Sequence, residues 1–396
     1  MRVAIASRIF EPEPSAASFR LAALAGALAD AGHEVTVLTV RPPASRGVSD
    51  DGGRRYRVRR FPVLRDRSGY VRGYLQYLSF DVPLFFRALF ARRFDVFIVE
   101  PPPTTGFFVR LAAAARRTPY VYYAADIWAD ASSQTGAPGW VVRAVRSIER
   151  FALRGATLVL SVSDGVTERL AELRITENVV TIGNGIDTGA FGAGCMALME
   201  SDDPPARNAP MFVYAGTASE WHGAGIFVEA LPRVLERYPD AQLLYIGGGS
   251  EREAIQQRAE QLRVEQSVFF EPVAEPKRLA PRLSGATAAL ASVRPGAGYD
   301  FAFPTKLYSA AACGAPLLYS GGGPGVEFVQ TAVADDALGW AVGADATEVA
   351  DAMLAASERP FDAVRRREVA QWATENVSLS AVAERAVSEI RKKWER

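Results

Sequence analysis

The feature that most limits what this chain can become is an alternation of short apolar runs with helical patterns, met once in the first half and again in the second. RVAIAS (2–7) is a brief apolar run closed by a loop, which suits a strand buried on both faces of a parallel sheet. The loop Glu11-Pro12-Glu13-Pro14 hands over at Ser15, a good N-cap, to a helical stretch. There Phe19, Leu21, Leu24 and Leu28 mark one face, Arg20 lies one turn in, and Gly32 ends the pattern. VTVLTV follows as a second strand, so strand, helix and strand fill about 40 residues, the size of a right-handed crossover unit. The alternation continues through DVFIVE (95–100), a helix over 104–116, YVYYAAD (120–126), a helix over 140–154, LVLSVS (158–163), a helix over 164–173 and VVTIGN (179–184).

A stretch rich in Gly, Asp and Pro, ending in SDDPPARNAP, then reads as a linker. A second series opens at MFVYAG (211–216) and runs through a helix over 223–238, QLLYIGGG (242–249), a helix over 251–263, VFFEP (268–272) and a short helix. The last segments, 361–375 and 378–395, alternate apolar and charged residues at helical spacing. The pattern predicts an α/β chain of two doubly wound parallel sheets facing each other across a cleft, with ligands at the carboxyl ends of the strands. The divisions expected are 1–190, 191–375 and a C-terminal helix over 376–396 that returns to the first domain.

Composition excludes several classes. Lys and Arg number 45 against 45 Asp and Glu, so net charge gives no reason to expect nucleic acid. The two cysteines, Cys195 and Cys313, sit among small or apolar residues and read as reduced thiols rather than a disulfide, and with two scattered histidines they make no conventional zinc site. The opening MRVAIASRIFEPEP reaches Glu11 too soon for a secretory signal, and no apolar run approaches the roughly 20 residues that cross a bilayer. The expectation is a cytoplasmic protein.

Residues 288–330 concentrate the chemistry. A strand from Ala288 to Val293 runs into a Gly/Pro/aromatic loop that opens onto a helix near Thr305; a strand from Pro316 to Tyr319 then ends in Gly321, Gly322 and Gly323, with Pro324 at a first helical position. Two helix starts with unpaired amides so close together form an arrangement for holding an anion.

With both halves read, the chain resembles GT-B fold glycosyltransferases, and its motifs are most similar to retaining family 4, in the branch that includes O-antigen and capsule fucosaminyl- and sugar-transferases. The motifs are PEPSAASFR with GHEVTVLT, ADIWAD, NGID before the linker, YAG at the first strand of the second half, and FPTKLYSAAACGAP followed by GGGPGVEF. The resemblance implies two Rossmann-like domains, and a hexosyltransferase-like, metal-independent enzyme without a cofactor. It would move a sugar from a nucleotide-diphosphate donor to a glycan or polyprenyl-linked acceptor.

The resemblance also assigns residues. Lys306 would meet the leaving diphosphate with Arg294 beside it, and Asp126 would orient or stabilise the reacting sugar. Gly216, Thr217 and His222 fall in the loop where the family places basic groups; Tyr299, Asp300, Phe301, Thr305 and Ser309 line the donor, and Gly322, Gly323 and Glu327 close it. Thr217 is neutral where a cation is usual. Ser309 and Phe301 stand where two carboxylates are usual, and a serine hydroxyl does not take two ribose hydroxyls as a carboxylate does. The plain alternatives are surface charges for Lys306 and Arg294, a solvent-facing His222, an N-cap Asp126, a core Trp128 and a glycine run that only makes a turn. They leave open a second reading, a non-catalytic GT-B protein that binds a sugar nucleotide or a partner.

Residues 54–94 hold eleven arginines against two aspartates, interleaved with Tyr70, Tyr74, Tyr77, Phe80, Phe85, Phe86, Phe90 and Phe94. That mixture reads as a contact with an anionic membrane surface, the alternative being core aromatics under a solvated basic face.

Overall fold

Why β1 (Arg2–Ala6) lies at the middle of a sheet is plain from its side chains: Val3, Ala4, Ile5 and Ala6 are all fully buried. It pairs in parallel with β2 (Glu34–Val40) on one side and β4 (Val96–Val99) on the other. With β3 (Arg57–Phe61), β5 (Tyr120–Ala124), β6 (Leu158–Ser161) and β7 (Val179–Thr181) it makes a seven-stranded parallel sheet in the order β3-β2-β1-β4-β5-β6-β7. The structure is a computed structural model and describes residues 1–13, 15–43, 51–66, 69, 71, 73–130, 138–191, 209–296, 299–300 and 302–394.

The helices joining these strands are α1 (Ala16–Asp30), α2 (Tyr74–Phe90), α3 (Pro103–Arg116), α4 (Gly139–Arg154) and α5 (Asp164–Glu172). Right-handed crossovers that reverse direction at β1 put α1 on one face of the sheet and α2, α3 and α4 on the other. Ser15 caps α1, its Oγ accepting from the Ser18 amide at 3.0 Å, a contact worth about 1 kcal/mol. The buried face of α1 is Leu21, Leu24, Ala25 and Leu28 with Ser18 and Arg20; Phe19, expected there, is exposed. Arg20 takes the inner place because it has a buried partner, Glu100 at the end of β4.

The second unit, Ile186–Ser378, repeats the plan. Its parallel sheet runs β10 (Val268–Glu271), β9 (Gln242–Ile246), β8 (Met211–Ala215), β11 (Ala288–Ser292), β12 (Leu317–Ser320) and β15 (Gly339–Val342). Alternation along β8 serves two cores. Met211, Val213 and Ala215 face one layer, and Phe212 and Tyr214 face the other. Around it lie α6 (Ile226–Arg237), α7 (Arg252–Gln261), α8 (Pro276–Ser284), α9 (Lys306–Ala312), α10 (Pro324–Val329), α11 (Ala346–Glu358) and α12 (Ala363–Val377), with a small hairpin of β13 (Ala332–Val333) and β14 (Asp336–Ala337). The final helix, α13 (Leu379–Trp394), belongs with Met1–Gly185, where Val382, Ala386, Val387 and Ile390 join the core.

Several elements lie outside the expected series: α2, the β13–β14 hairpin, β3, β15 and α11. β3 reads RVRRF and pairs only at a sheet edge; β15 is a four-residue strand, and α11 is a helix that Asp345 caps through the Thr347 and Glu348 amides. The 54–94 stretch is also less uniform than its composition. Phe80 and Phe94 are core, while Arg54 pairs with Glu11, Arg60 with Asp51 and Arg65 with Glu13.

The Arg20–Glu100 pair gives the first prediction. Removing one charge leaves the other buried, which costs about 3–5 kcal/mol, whereas removing both with apolar groups costs far less. Urea unfolding of Arg20→Met is expected to show that loss, and the double variant R20M/E100L to recover most of it.

Candidate functional site

In a doubly wound sheet the crevice opens where strand order reverses, because the loops on either side leave in opposite directions. In the second unit that point lies between β8 and β11. Two loops there are packed backbone on backbone. A Cβ on Gly247 would lie 2.4 Å from the Gly216 carbonyl oxygen, and one on Gly249 would lie 2.1 Å from that of Ala218. Hydrogen bonds from Gly216 N to Ile246 O (2.8 Å) and from Ala218 N to Gly248 O (2.8 Å) lock the contact.

Lys306, the first residue of α9, reaches across to this loop. Its Nζ lies 3.8 Å from the centre of the Tyr214 ring, donates to the Tyr214 hydroxyl, and is 3.3 Å from the Thr217 carbonyl oxygen. The Tyr214 hydroxyl itself donates to that carbonyl at 3.0 Å. No carboxylate pairs with the ammonium among the described residues, and burial alone pushes Lys306 down to about 7. Gly216, at φ 131°, leaves room beside it: a Cβ there would sit 3.4 Å from Lys306 Cε. Thr217 contributes this carbonyl, while its side chain is exposed.

His222 is buried rather than solvent-facing. It stacks on Trp221 at 3.6 Å, its Nδ1 accepts from the Ser219 amide at 3.2 Å, and burial with the nearby Lys306 charge drives it down to about 4. It is therefore a neutral imidazole with its proton on Nε2, a donor rather than a cation. Arg294, after β11, does not join Lys306 as a second free cation. Its guanidinium pairs with Glu251 at 3.0 Å, and both residues line a pocket of about 360 Å³ with His222, Ser292 and Ser320. Tyr299 stacks on Trp221 at 4.8 Å, and Asp300 Oδ1 accepts from the Gly296 amide at 2.9 Å. Phe301 lies outside the described residues.

Two expectations about helix starts change. In α9 the amides of Leu307 and Tyr308 already bond the carbonyls of Pro304 and Thr305, both at 3.0 Å, so this end offers less to an anion than its sequence implied. Thr305 occupies the N-cap with no side-chain bond. Ser309 is buried, and its hydroxyl donates to the Lys306 carbonyl at 2.9 Å; the position where the resemblance implies a ribose contact is held by a side chain bonded to its own helix.

The glycine run divides. Gly321, at φ 142°, packs on the Val293 carbonyl, where a Cβ would come within 2.4 Å, and Gly323, at φ 68°, packs on that of Asp300 at 2.1 Å. Only Gly322 faces open space, its carbonyl accepting from the Tyr319 hydroxyl at 2.8 Å. Glu327 is exposed in the first turn of α10.

In the first unit the reversal lies between β1 and β4, and sequence reasoning missed what gathers there. Arg8, just past β1, stacks on Tyr77 at 3.7 Å with Nε and Nη1 buried and unbonded, and burial lowers it to about 10. Glu100 follows β4 and holds Arg20, which also reaches Asn184 at 3.5 Å. After β5, Asp126 is exposed at its tip, yet crowding by protein raises its pKa, with the Asp130 charge adding to the rise. Asp126 Oδ1 accepts from the Ile127 amide at 3.1 Å, and the next two amides of the turn go to another carboxylate. The amides of Trp128 and Ala129 are held by the buried Glu149 at 2.8 and 3.0 Å, and burial lifts Glu149 to about 7. Trp128 is half-buried, edge-on to Tyr77 at 6.0 Å. Only position after a strand end marks Arg8 and Glu100 in the sequence.

Two parallel doubly wound units in one chain are the architecture of the GT-B class. Residues 16–185 match the family model described as a glycosyl transferase 4-like domain, and residues 209–359 match glycosyl transferases group 1. The chain is a glycosyltransferase of the GT-B type. The Anabaena protein HepE, solved in complex with UDP, superposes at a TM-score of 0.71 with 16% identity, over 99% of this chain and 100% of that one. Sucrose-phosphate synthase from Thermosynechococcus elongatus gives 0.70 and 16%, over 100% and 99%. The catalytic domain of starch synthase IV from Arabidopsis thaliana, bound to ADP and acarbose, gives 0.68 and 15%, over 100% and 99%. At these identities the likeness carries the fold. No curated protein matches the sequence.

The glycine geometry separates structural from open positions. Gly321→Ala meets both a backbone clash and a positive φ and is expected to lower stability by roughly 2 kcal/mol or more, while Gly322→Ala stays within about 0.5 kcal/mol of the parent. Thermal and urea unfolding of the two variants check this.

Proposed function

We propose that the chain transfers a sugar from a nucleoside-diphosphate donor, with retention of anomeric configuration, and that Lys306 carries the leaving diphosphate. The supporting observation is an ammonium held at the switch point by a tyrosine ring and two oxygens, with no carboxylate beside it among the described residues. A half-buried cation without a counter-charge has its electrostatic need met by an anionic ligand.

In this reading the bond from the anomeric carbon to the phosphate oxygen breaks as the acceptor oxygen bonds to the same face of that carbon. The acceptor's proton passes to the departing phosphate oxygen, so no protein base is needed. Lys306 stabilises the charge that grows on that phosphate, the neutral His222 offers Nε2–H, and Gly322 lets backbone approach the donor. Tyr299, Asp300, Thr305 and Glu327 border the donor, and the reading asks for no metal. Arg294 acts through Glu251, as a positioning residue. On the acceptor side Asp126 orients the incoming hydroxyl. Support for the donor class comes from the two matched domains and from HepE, which was also solved with UDP-glucose.

Incubation with a panel of nucleotide sugars, read as slow release of nucleoside diphosphate, tests the reading. Release from at least one donor, lost in Lys306→Met, is expected. Thermal stabilisation by UDP or GDP with no release from any donor would make the chain a binding protein instead.

Lys306 also predicts a pH dependence. In the free protein it is charged below about 7 and neutral above. A diphosphate favours the charged form, so affinity is highest below pH 7 and falls as pH rises past it. Lys306→Arg keeps its charge throughout this range. The ratio of parent to K306R affinity, measured calorimetrically with UDP or GDP, should therefore fall between pH 7 and 9. K306M should bind about 10- to 100-fold more weakly at pH 6.5.

A further inference from the structure

One surface is not used by the chemistry above. On the face of the first unit that carries α2, α3 and α4, α2 turns Leu75, Leu78, Val82, Phe86 and Phe90 outward at steps of three or four residues, which is one stripe of a helix. Leu75 is 72% exposed, Phe86 51% and Phe90 78%. Scattered exposed apolar residues are ordinary, but these are continuous. Rings touch in sequence from Phe90 to Phe86 (6.5 Å), Phe85 (5.2 Å), Phe108 of α3 (6.5 Å), Phe107 (5.4 Å) and Phe151 of α4 (5.2 Å). The string crosses three neighbouring helices.

Charge decides what such a face meets. The only carboxylates within α2, α3 and α4 are Asp81 and Glu149, and both are buried. Asp81 accepts from Thr105 Oγ1 at 2.6 Å, and Glu149 is bound to the amides of Trp128 and Ala129. What these helices and the residue just past α3 expose as charge is arginine: Arg117, Arg143, Arg146 and Arg154. Within α2, α3 and α4, exposed arginines around an aromatic and aliphatic centre, with no exposed acid on these helices and no groove between them, match a planar anionic leaflet. A protein partner would meet it with its own acids, but a groove or pocket for an anchor side chain is the usual mark of such a site.

We propose that the face formed by α2, α3 and α4 docks on an anionic phospholipid leaflet. The α2 stripe and Phe151 enter the boundary between headgroups and acyl chains, and the arginines pair with lipid phosphates. The inference does not depend on sugar transfer, because it is read without a donor.

The test is sedimentation of the full chain with vesicles of phosphatidylcholine alone, or mixed with phosphatidylglycerol. The chain is expected to sediment with the mixed vesicles only, less so at high salt. F86Q/F90Q and R143E/R146E/R154E should each lower the partition coefficient about tenfold or more, with the unfolding midpoint unchanged. The proposal is overturned if the parent stays in the supernatant with mixed vesicles, or if both variants sediment as the parent does. It is also overturned if the parent is a dimer by light scattering that F86Q/F90Q converts to monomer, which would assign the face to a second copy of the chain. The arginine variant keeps the test decisive should the phenylalanine variant fold poorly.

Discussion

The second unit's site depends on an ammonium kept, among the described residues, without a carboxylate. Lys306 could lie anywhere on the surface as a solvated charge; instead its Nζ rests on the face of Tyr214, between that hydroxyl and the Thr217 carbonyl. Both oxygens are fixed from below. Tyr214 is anchored in the core against Phe227 and Tyr245, and the Thr217 turn is held by the glycine contacts at Gly216, Gly247 and Gly249. Substituting Gly247 or Gly249 moves the backbone that carries this carbonyl, because backbone fills the space a Cβ would need, whereas a Cβ on Gly216 would meet the Lys306 side chain.

The two switch points of the chain manage charge in different ways. In the first unit Arg20 and Glu100 are buried together, and Arg8 is set against an aromatic ring near the buried Asp81. Burying ions in pairs gives little net stability but fixes geometry, since neither partner tolerates displacement. In the second unit Arg294 is paired with Glu251 and His222 is neutral, so of these three groups Lys306 alone brings an unpaired positive charge. A polar, paired site suits hydroxyl groups that bring no charge. A single unpaired cation suits a phosphate.

The alternation of strands and helices was legible because strands buried on both faces are continuous apolar runs, as YVYYA and MFVYA show. β3 was not, since an edge strand carrying three arginines has no apolar signal, and α11 was not, because its small residues leave little helical periodicity. Lys306 could be singled out from the order of motifs alone. Its partners could not: Tyr214 lies 92 residues away and looks like core, and the Arg20–Glu100 pair spans 80 residues. The three glycines look equivalent in sequence. Only the carbonyls of Val293 and Asp300, which come from another loop, make two of them structural. The arginines of 54–94 likewise read as one patch until Glu11, Glu13 and Asp51 are seen to neutralise three of them.

The shortage of free amides at α9 bears on how an anion would be held. If Leu307 and Tyr308 are already bonded within the first turn, the helix end supplies fewer donors than its position promises, and the cation must do more. A lysine at about 7 is well placed for that role. In the free protein near neutral pH it shares its time between charged and neutral forms, so the protein does not bear the full desolvation cost of a buried ion. On the proposed reading, an arriving diphosphate would raise the ammonium's pKa and draw in a proton, so that the positive charge became complete as the negative charge arrived. An arginine there would be charged at all times and would need a counter-ion in the empty state. The choice of lysine, against a tyrosine face and away from carboxylates, thus ties the charge of the site to its occupancy.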